Sequence, residues 1–169
     1  MIKPDHWIKE FCEGGGIEPF NIEHINPASY DVMVGDHFIC PTRDPEEVVC
    51  DSFTLFPNEV TLATTIEYVK MPRDVCGLLL LKSSLGRLWL NHSMSGWIDP
   101  GFEGRLTLEF QNLGPVPRVL KRGTRVAQIV FFQLSEPPTK SYKERHDSHY
   151  LGQERATRAW SELFFSKKL

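Results

Sequence analysis

The sequence lacks the features that would place it outside the cytoplasm. Its longest aliphatic run, LLLL at 78–81, falls far short of the ~20 apolar residues that a membrane-spanning helix needs. Nothing near its start resembles a secretory leader. Cysteine is sparse: Cys12, Cys40, Cys50 and Cys76 stand apart, with no C-x-x-C pair. A disulfide framework is therefore not expected, and the thiols read as small buried hydrophobes in a reducing compartment. No Cys or His pair has the spacing of zinc ligands. Basic charge is not in excess either, since 19 Lys and Arg face 22 Asp and Glu, giving a net charge of −3. That balance speaks against non-specific DNA or RNA binding, so an anionic ligand would need a local basic pocket. Both G-x-x-x-x-G-K-[ST] and G-x-G-x-x-G phosphate loops are missing. So are internal repeats and low-complexity tracts.

What remains suits a single domain over 1–169, long enough to bury roughly 70% of its extended surface. Residues 4–13, PDHWIKEFCE, predict a short N-terminal helix. Asp5 can cap it, Trp7, Ile8 and Phe11 share a face, and Gly14-Gly15-Gly16 ends it. From Ile17 onward, short β-prone runs follow closely, each bounded by Pro, Gly, Asn or Asp. The candidate strands are 30–34, 37–39, 53–55, 59–65, 75–81, 88–90, 105–112, 116–120 and 126–134. This density predicts a mainly β fold, a sandwich or barrel, rather than βαβ units. Gly123 marks a hairpin-type turn, and Pro137-Pro138 closes the β region. The polar stretch beyond, TKSYKERHDSHYLGQERATR, reads by composition as a solvated tail. Tyr142, Tyr150 and Gln153 are nevertheless unusual residues to leave in water. A short amphipathic helix is expected over 159–169.

The chemistry concentrates between 78 and 112. If 105–110 is a strand, Leu106, Leu108 and Phe110 face one way, and Arg105, Thr107 and Glu109 the other. Between apolar neighbours Glu109 would be desolvated and its pKa raised, the tuning of a general acid or base. A rim carboxylate paired with a Lys or Arg fits the strand equally well. Lys82-Ser83-Ser84 with Arg87 reads as the first turn of a helix capped by Ser83 or Ser84. Free N–H groups, hydroxyls and a cation there would seat a phosphate; a capped turn with a surface Arg is the alternative. The turn GWIDPG at 96–101 holds Asp99 before a stiffening proline. A carboxylate beside exposed amides can accept a sugar hydroxyl while the amides read a base edge. An ordinary Asx-Pro turn has the same spacing.

Six blocks, taken in order, resemble the dCTP deaminase family of the trimeric dUTPase-like superfamily. They are NPASYDVMVG (26–35), LATTIEYV (62–69), KSSLGRL (82–88), SGWIDPGFEG (95–104), LTLEF (106–110) and GTRVAQ (123–128), within a likeness running from about 17 to 153. The resemblance implies a distorted β-barrel or jelly-roll of the dUTPase-like type. It also implies a homotrimer with active sites between subunits, and Mg²⁺ on the nucleotide triphosphate. The deamination it implies uses no zinc, in line with the missing H-x-E and P-C-x-x-C signature. By the same resemblance Glu109 is the acid/base that takes a proton from water attacking C4 of cytosine, protonates N3 and helps ammonia leave. Ser83 and Arg87 would hold that water and set the carboxylate's charge, while Lys82 and Ser84 would contact the triphosphate. Asp99 matches the group binding the deoxyribose 3′-hydroxyl. The backbone from Trp97 and Ile98, with Gln153, would read the base. Tyr142 and the segment 148–153, including His149, match a C-terminal arm (about 138–169) that folds over bound nucleotide. That displaces the solvated-tail reading.

Several positions depart from the family pattern. His149 stands where many relatives carry a phosphate-binding Lys, Met33 replaces a usual Arg, and Ser95 stands where an Ala commonly shapes the water site. The expected 159–169 helix has no family counterpart. The implied activity is hydrolysis of dCTP to dUTP and ammonia. The alternatives are a bifunctional enzyme continuing to dUMP and pyrophosphate, a plain dUTPase, and an inactive nucleotide sensor. SGWIDPGF fits the bifunctional members at least as well, and the plain dUTPase branch usually lacks a Glu at position 109. Joint retention of Ser83, Arg87, Asp99 and Glu109 speaks against the sensor.

Overall fold

The computed structural model describes residues 1–92 and 96–160. Ser95, and the part of the expected terminal helix beyond 160, lie outside the described residues. The first element, α1 (Asp5–Glu13), begins at Asp5 with Pro4 as its cap. Asp5 is thus the first helical residue rather than the cap, and its Oδ1 accepts from the adjacent His6 N–H at 2.8 Å. The apolar stripe behaves as expected. Ile8 is fully buried, Trp7 stacks on Phe11 at 5.1 Å, and both rings meet Phe131. Gly14 closes the helix and Gly15 follows at φ +84°, a conformation a side chain would strain.

The strands then run in order as β1 (Ile17–Glu18), β2 (Ile25–Asn26), β3 (Ser29–Ile39), β4 (Glu47–Val49), β5 (Ser52–Leu55), β6 (Val60–Lys70) and β7 (Val75–Leu81). After the single-turn helix α2 (Ser83–Gly86) come β8 (Leu90–His92), β9 (Trp97–Ile98), β10 (Glu103–Asn112), β11 (Arg118–Lys121) and β12 (Arg125–Gln133). The main sheet is antiparallel, in the order β8-β10-β6-β3-β12-β7-β9, with β1 added to β6 and with β2 and β4 added to β3. β5 and β11 form a second, two-stranded sheet. The result is a curled antiparallel half-barrel, mainly β as the turn density predicts. No helix among the described residues is long and apolar enough to cross a membrane.

The differences from expectation are local and have causes. The runs 30–34 and 37–39 are one strand, because the chain bulges at Gly35-Asp36 instead of turning. Val34 faces Thr65 but Phe38 faces Ala63, so four steps of β3 oppose two of β6. β8 starts at Leu90 rather than 88, since Trp89 adopts φ +63° and cannot be extended. Gly123 does make a tight turn at φ +82°, but it links two different sheets: β11 pairs with β5 and β12 with β3 and β7. β1, β2, β4 and β9 are too short to show a period.

The core follows from alternation. On β10, Gly104, Leu106, Leu108, Phe110 and Asn112 are buried, while Arg105, Thr107 and Glu109 are half-buried on the opposite face. β3 is buried on nearly every residue, as a central strand covered on both sides should be.

Candidate active site

One wall of the candidate site is set by backbone contact. β9 lies antiparallel on β7, with Trp97 opposite Leu78 and Ile98 opposite Gly77. The Leu79 N–H donates to the Gly96 carbonyl at 2.7 Å, and a Cβ on Gly96 would sit 2.5 Å from the Leu79 oxygen. No side chain fits there. Ile98 is consequently buried, and Asp99 begins a turn in which the Phe102 N–H donates to its carbonyl at 3.1 Å. Trp97 Nε1 donates to Asp99 Oδ1 at 3.1 Å, which fixes the carboxylate's direction. Gly101, at φ +77°, ends the turn tightly against Ser141.

The opposite wall is the C-terminal arm, which packs on the barrel instead of trailing into solvent. The Tyr142 N–H donates to the Pro100 carbonyl at 2.8 Å, and its ring lies 5.6 Å from Phe102. Burial pushes the Tyr142 phenol above its usual pKa, and its oxygen accepts from the Tyr150 N–H at 3.2 Å. Further on the arm clasps β10. The Gly152 N–H donates to the Glu103 carbonyl at 2.7 Å and the Arg105 N–H to the Gln153 carbonyl at 2.8 Å. Gln153 Nε2 returns a bond to the Arg105 carbonyl at 2.6 Å, leaving its Oε1 buried and without a hydrogen-bond partner among the described residues. His149 stacks on Trp160, ring centres 3.4 Å apart.

Between these walls lies a cavity of about 670 Å³. Trp97, Ile98, Asp99, Glu109, Tyr142, His149 and Gln153, all read from the sequence as site residues, line it. The alternation that singled out Glu109 also implicates Thr107, which lines the cavity as well. Arg145 and Asp147 line it too, and nothing in their polar surroundings announced them. They form a two-point ion pair, 3.0 and 2.7 Å, and Arg145 holds the Asp147 carboxyl down at about 2.

Lys82, Ser83, Ser84 and Arg87 do not line this cavity. Lys82, not a serine, is the cap position of α2, with no side-chain cap bond. Its ammonium pairs with the buried carboxylate of Asp31, which also accepts from Asn26 Nδ2 at 2.9 Å and lies 3.5 Å from Arg125 Nη1. Ser83, Ser84 and Arg87 are exposed, with Ser83 and Arg87 bonded through one turn of backbone at 3.0 Å. The turn from Lys82 to Arg87 thus sits apart from the carboxylate-bearing pocket. Among the described residues no three His, Cys, Asp or Glu converge as a metal cage.

A curled antiparallel half-barrel with a carboxylate pocket beneath its own arm defines a dUTPase-like fold. Solved structures agree on the fold: a dUTPase variant from phage phi11 of S. aureus superposes with a TM-score of 0.54 at 19% identity, covering 76% of this chain and 91% of that one. The 2′-deoxycytidine 5′-triphosphate deaminase from Agrobacterium tumefaciens reaches 0.68 at 24% identity, over 77% of this chain but 47% of that longer one. The chain belongs to the dCTP deaminase-like family of enzymes, whose model matches residues 2–134. Among its relatives, "dCTP deaminase, dUMP-forming" of Leifsonia xyli is 40% identical over 99% of this chain and 94% of its own length. The protein of the same description from Corynebacterium glutamicum is 36% identical over 99% and 100%. That from Methanosphaera stadtmanae is 39% identical over 90% and 89%.

Proposed function

We propose that this chain deaminates dCTP and then hydrolyses the dUTP formed, releasing ammonia, dUMP and pyrophosphate. The observation that carries the reading is the placing of Glu109 and Asp99 on the walls of one cavity that Gln153 helps to close. The relatives tip the balance between the two products. The sequence leads with release of dUTP, whereas the similar proteins are described as dUMP-forming, which supports the bifunctional alternative.

In this reading Glu109 removes a proton from a water as it adds to C4 of cytosine and delivers a proton to N3. It then assists the amino group to leave as ammonia, a role worth about 10²–10⁴ in rate. The Gln153 Oε1, buried and without a partner among the described residues, suits an N–H donor such as the cytosine amino group. Asp99, steered by Trp97, suits the sugar 3′-hydroxyl. Tyr142 and His149 belong to the wall that closes over the nucleotide. Mg²⁺ would ride on the triphosphate oxygens with few protein ligands, as is usual for this ion, and it would neutralise charge for cleavage between the α- and β-phosphates.

Ser83, Ser84 and Arg87, with Lys82, complete the site from a second copy of the chain, in a homotrimer. Their exposure supports this, as does the apolar surface beside them: Leu88, Trp89, Leu113 and Val116 are all exposed. Leu113 is tied to Trp89 by a 2.9 Å backbone bond. Such patches mark contact surfaces.

The test is to incubate the pure protein with Mg²⁺ and dCTP and to resolve dCTP, dUTP and dUMP by chromatography. dUMP with pyrophosphate is expected, and Glu109→Gln should abolish ammonia release without disturbing assembly. Accumulating dUTP would restore the monofunctional reading. Turnover of added dUTP alone would mean a dUTPase.

A further inference from the structure

Trp89 is held in a backbone conformation that its side chain disfavours. It sits at φ +63°, in the left-handed region, where a bulky residue crowds its own backbone and glycine would rest without strain. Hydrogen bonds on both sides enforce the conformation. The Trp89 N–H donates to the Gly86 carbonyl at 3.0 Å, closing the turn after α2, and the Leu113 N–H donates to the Trp89 carbonyl at 2.9 Å. One residue on, Leu90 is buried and pairs with Asn112 as β8 begins.

Nothing inside the chain offsets that strain. The indole is 64% exposed, and among the described residues it makes no ring stacking, cation contact or hydrogen bond. A strained residue of this kind persists where function depends on it, and the inference runs from the outlier to the function. Its surroundings suit a contact. Leu88 is exposed beside it, as are Leu113 and Val116 across the Leu113 bond. Arg118 Nε, bonded to the Leu88 carbonyl at 3.1 Å, lies at the edge. An exposed Trp among apolar side chains with a polar rim has the make-up of an interface anchor.

What faces the ring follows from Arg87. In the function proposed here, Ser83 and Arg87 complete the cavity of a second copy. Trp89 is two residues further on, so its Cα lies within about 7 Å of that of Arg87. The turn between them is held tightly, because the Arg87, Leu88 and Trp89 N–H groups are all bonded within it. A copy that receives Arg87 must also meet Trp89. We propose that Trp89 is the anchor by which a second copy of this chain grips the turn from Lys82 to Arg87, its indole buried in that copy beside the cavity that Arg87 enters. This rests on the shared-site reading. Trp89 itself touches no substrate and acts by holding Arg87 in its neighbour.

Sedimentation of the full-length chain over a dilution series tests this without reference to turnover. The parent should be oligomeric and dissociate on dilution. Trp89→Gly removes the ring and the backbone strain together. It should keep its β-type circular dichroism, yet half-dissociate at a concentration about tenfold higher or more, as loss of an interface anchor requires. Trp89→Ala removes the ring but keeps the strain, so it should assemble as poorly as Trp89→Gly and unfold in less urea. The fluorescence owed to Trp89, parent minus Trp89→Phe, should move to longer wavelength as the parent dissociates. With dCTP, Trp89→Gly should lose activity on dilution before the parent does and regain it where it assembles. Parent and Trp89→Gly of equal mass at every concentration would overturn the proposal. So would a parent that is monomeric throughout, leaving the ring for some other protein. An oligomeric parent that turns over neither dCTP nor dUTP would instead overturn the proposed function, with the anchor still standing.

Discussion

Glu67 Oε1 and His24 Nδ1 face each other at 4.0 Å inside the core, and neither has a hydrogen-bond partner among the described residues. Burial drives both towards their neutral forms: the Glu67 carboxyl is pushed up to about 7 and the His24 imidazole is pushed down. Both shifts run against an ion pair between them. The other Glu67 oxygen accepts from the Met33 N–H at 2.9 Å and so ties β6 to β3.

Stability should depend on pH through this carboxyl. Between the ordinary value of 4.5 and about 7 the native state keeps a proton that the unfolded chain has released. Stability from Glu67 therefore falls as pH rises through that window and levels off above it. His24 contributes the opposite slope just below 6.5, so the informative quantity is the difference between parent and Glu67→Gln. In urea unfolding the variant should gain on the parent by about 1–3 kcal/mol between pH 5 and 8. A constant difference would show that the carboxyl is not buried in solution.

The arm should be separable from the barrel. Truncation after Pro138 removes Tyr142 and Gln153 but no strand of either sheet. The truncated protein should keep its β-type circular dichroism, while kcat/KM for dCTP falls about 10²-fold or more, the cost of losing alignment. Gln153→Ala, which deletes the bond to the Arg105 carbonyl, should show a milder loss of about tenfold. Unchanged kinetics in the truncated protein would refute the arm's role.

Subunit sharing of the site can be read by mixing. Glu109→Gln and Arg87→Ala should each be inactive alone. Unfolded together and reassembled, about a quarter of the sites should pair an intact Glu109 with an intact Arg87 from a neighbouring chain. Recovery of dUMP formation at that level supports the shared site. No recovery, with mixed oligomers demonstrated by mass, would place both residues in one chain's site.

Gly96→Ala tests how the cavity wall at Trp97–Asp99 is fixed. The new methyl meets a backbone oxygen, not a side chain that can swing away. Stability should fall by about 1–3 kcal/mol, and KM for dCTP should rise more than kcat falls, because Ile98 and Asp99 shift together. Steady-state kinetics beside thermal unfolding would separate the two effects.

Much of this was legible in the chain. The alternation around Glu109 gave its face correctly, and Thr107 was available from the same pattern. Asp99 was legible from the Gly and Pro around it, which only a tight turn accommodates. The two-residue strand at Trp97 was not, because a period needs length and β9 is held by contact with Leu79. Composition misread the arm, since its bonds to Glu103 and Arg105 are made by backbone and leave no trace in side-chain polarity. The serine cap failed because Lys82 occupies the cap position, its ammonium drawn to Asp31 by a charge pairing 51 residues apart. The bulge of β3 against β6 was invisible for a similar reason: it depends on how neighbours line up, which no single strand encodes.

The closeness of Gly96 to Leu79 also bears on how such a pocket can change its tastes. One wall is backbone against backbone and has no room to be resculpted. The other is a strap of side chains resting on the barrel, free to be exchanged piece by piece. Discrimination among pyrimidines, or tolerance of a bulkier ring, would then be rewritten from the strap inward, around Tyr142, His149 and Gln153, while the floor beneath the ring stays as it is.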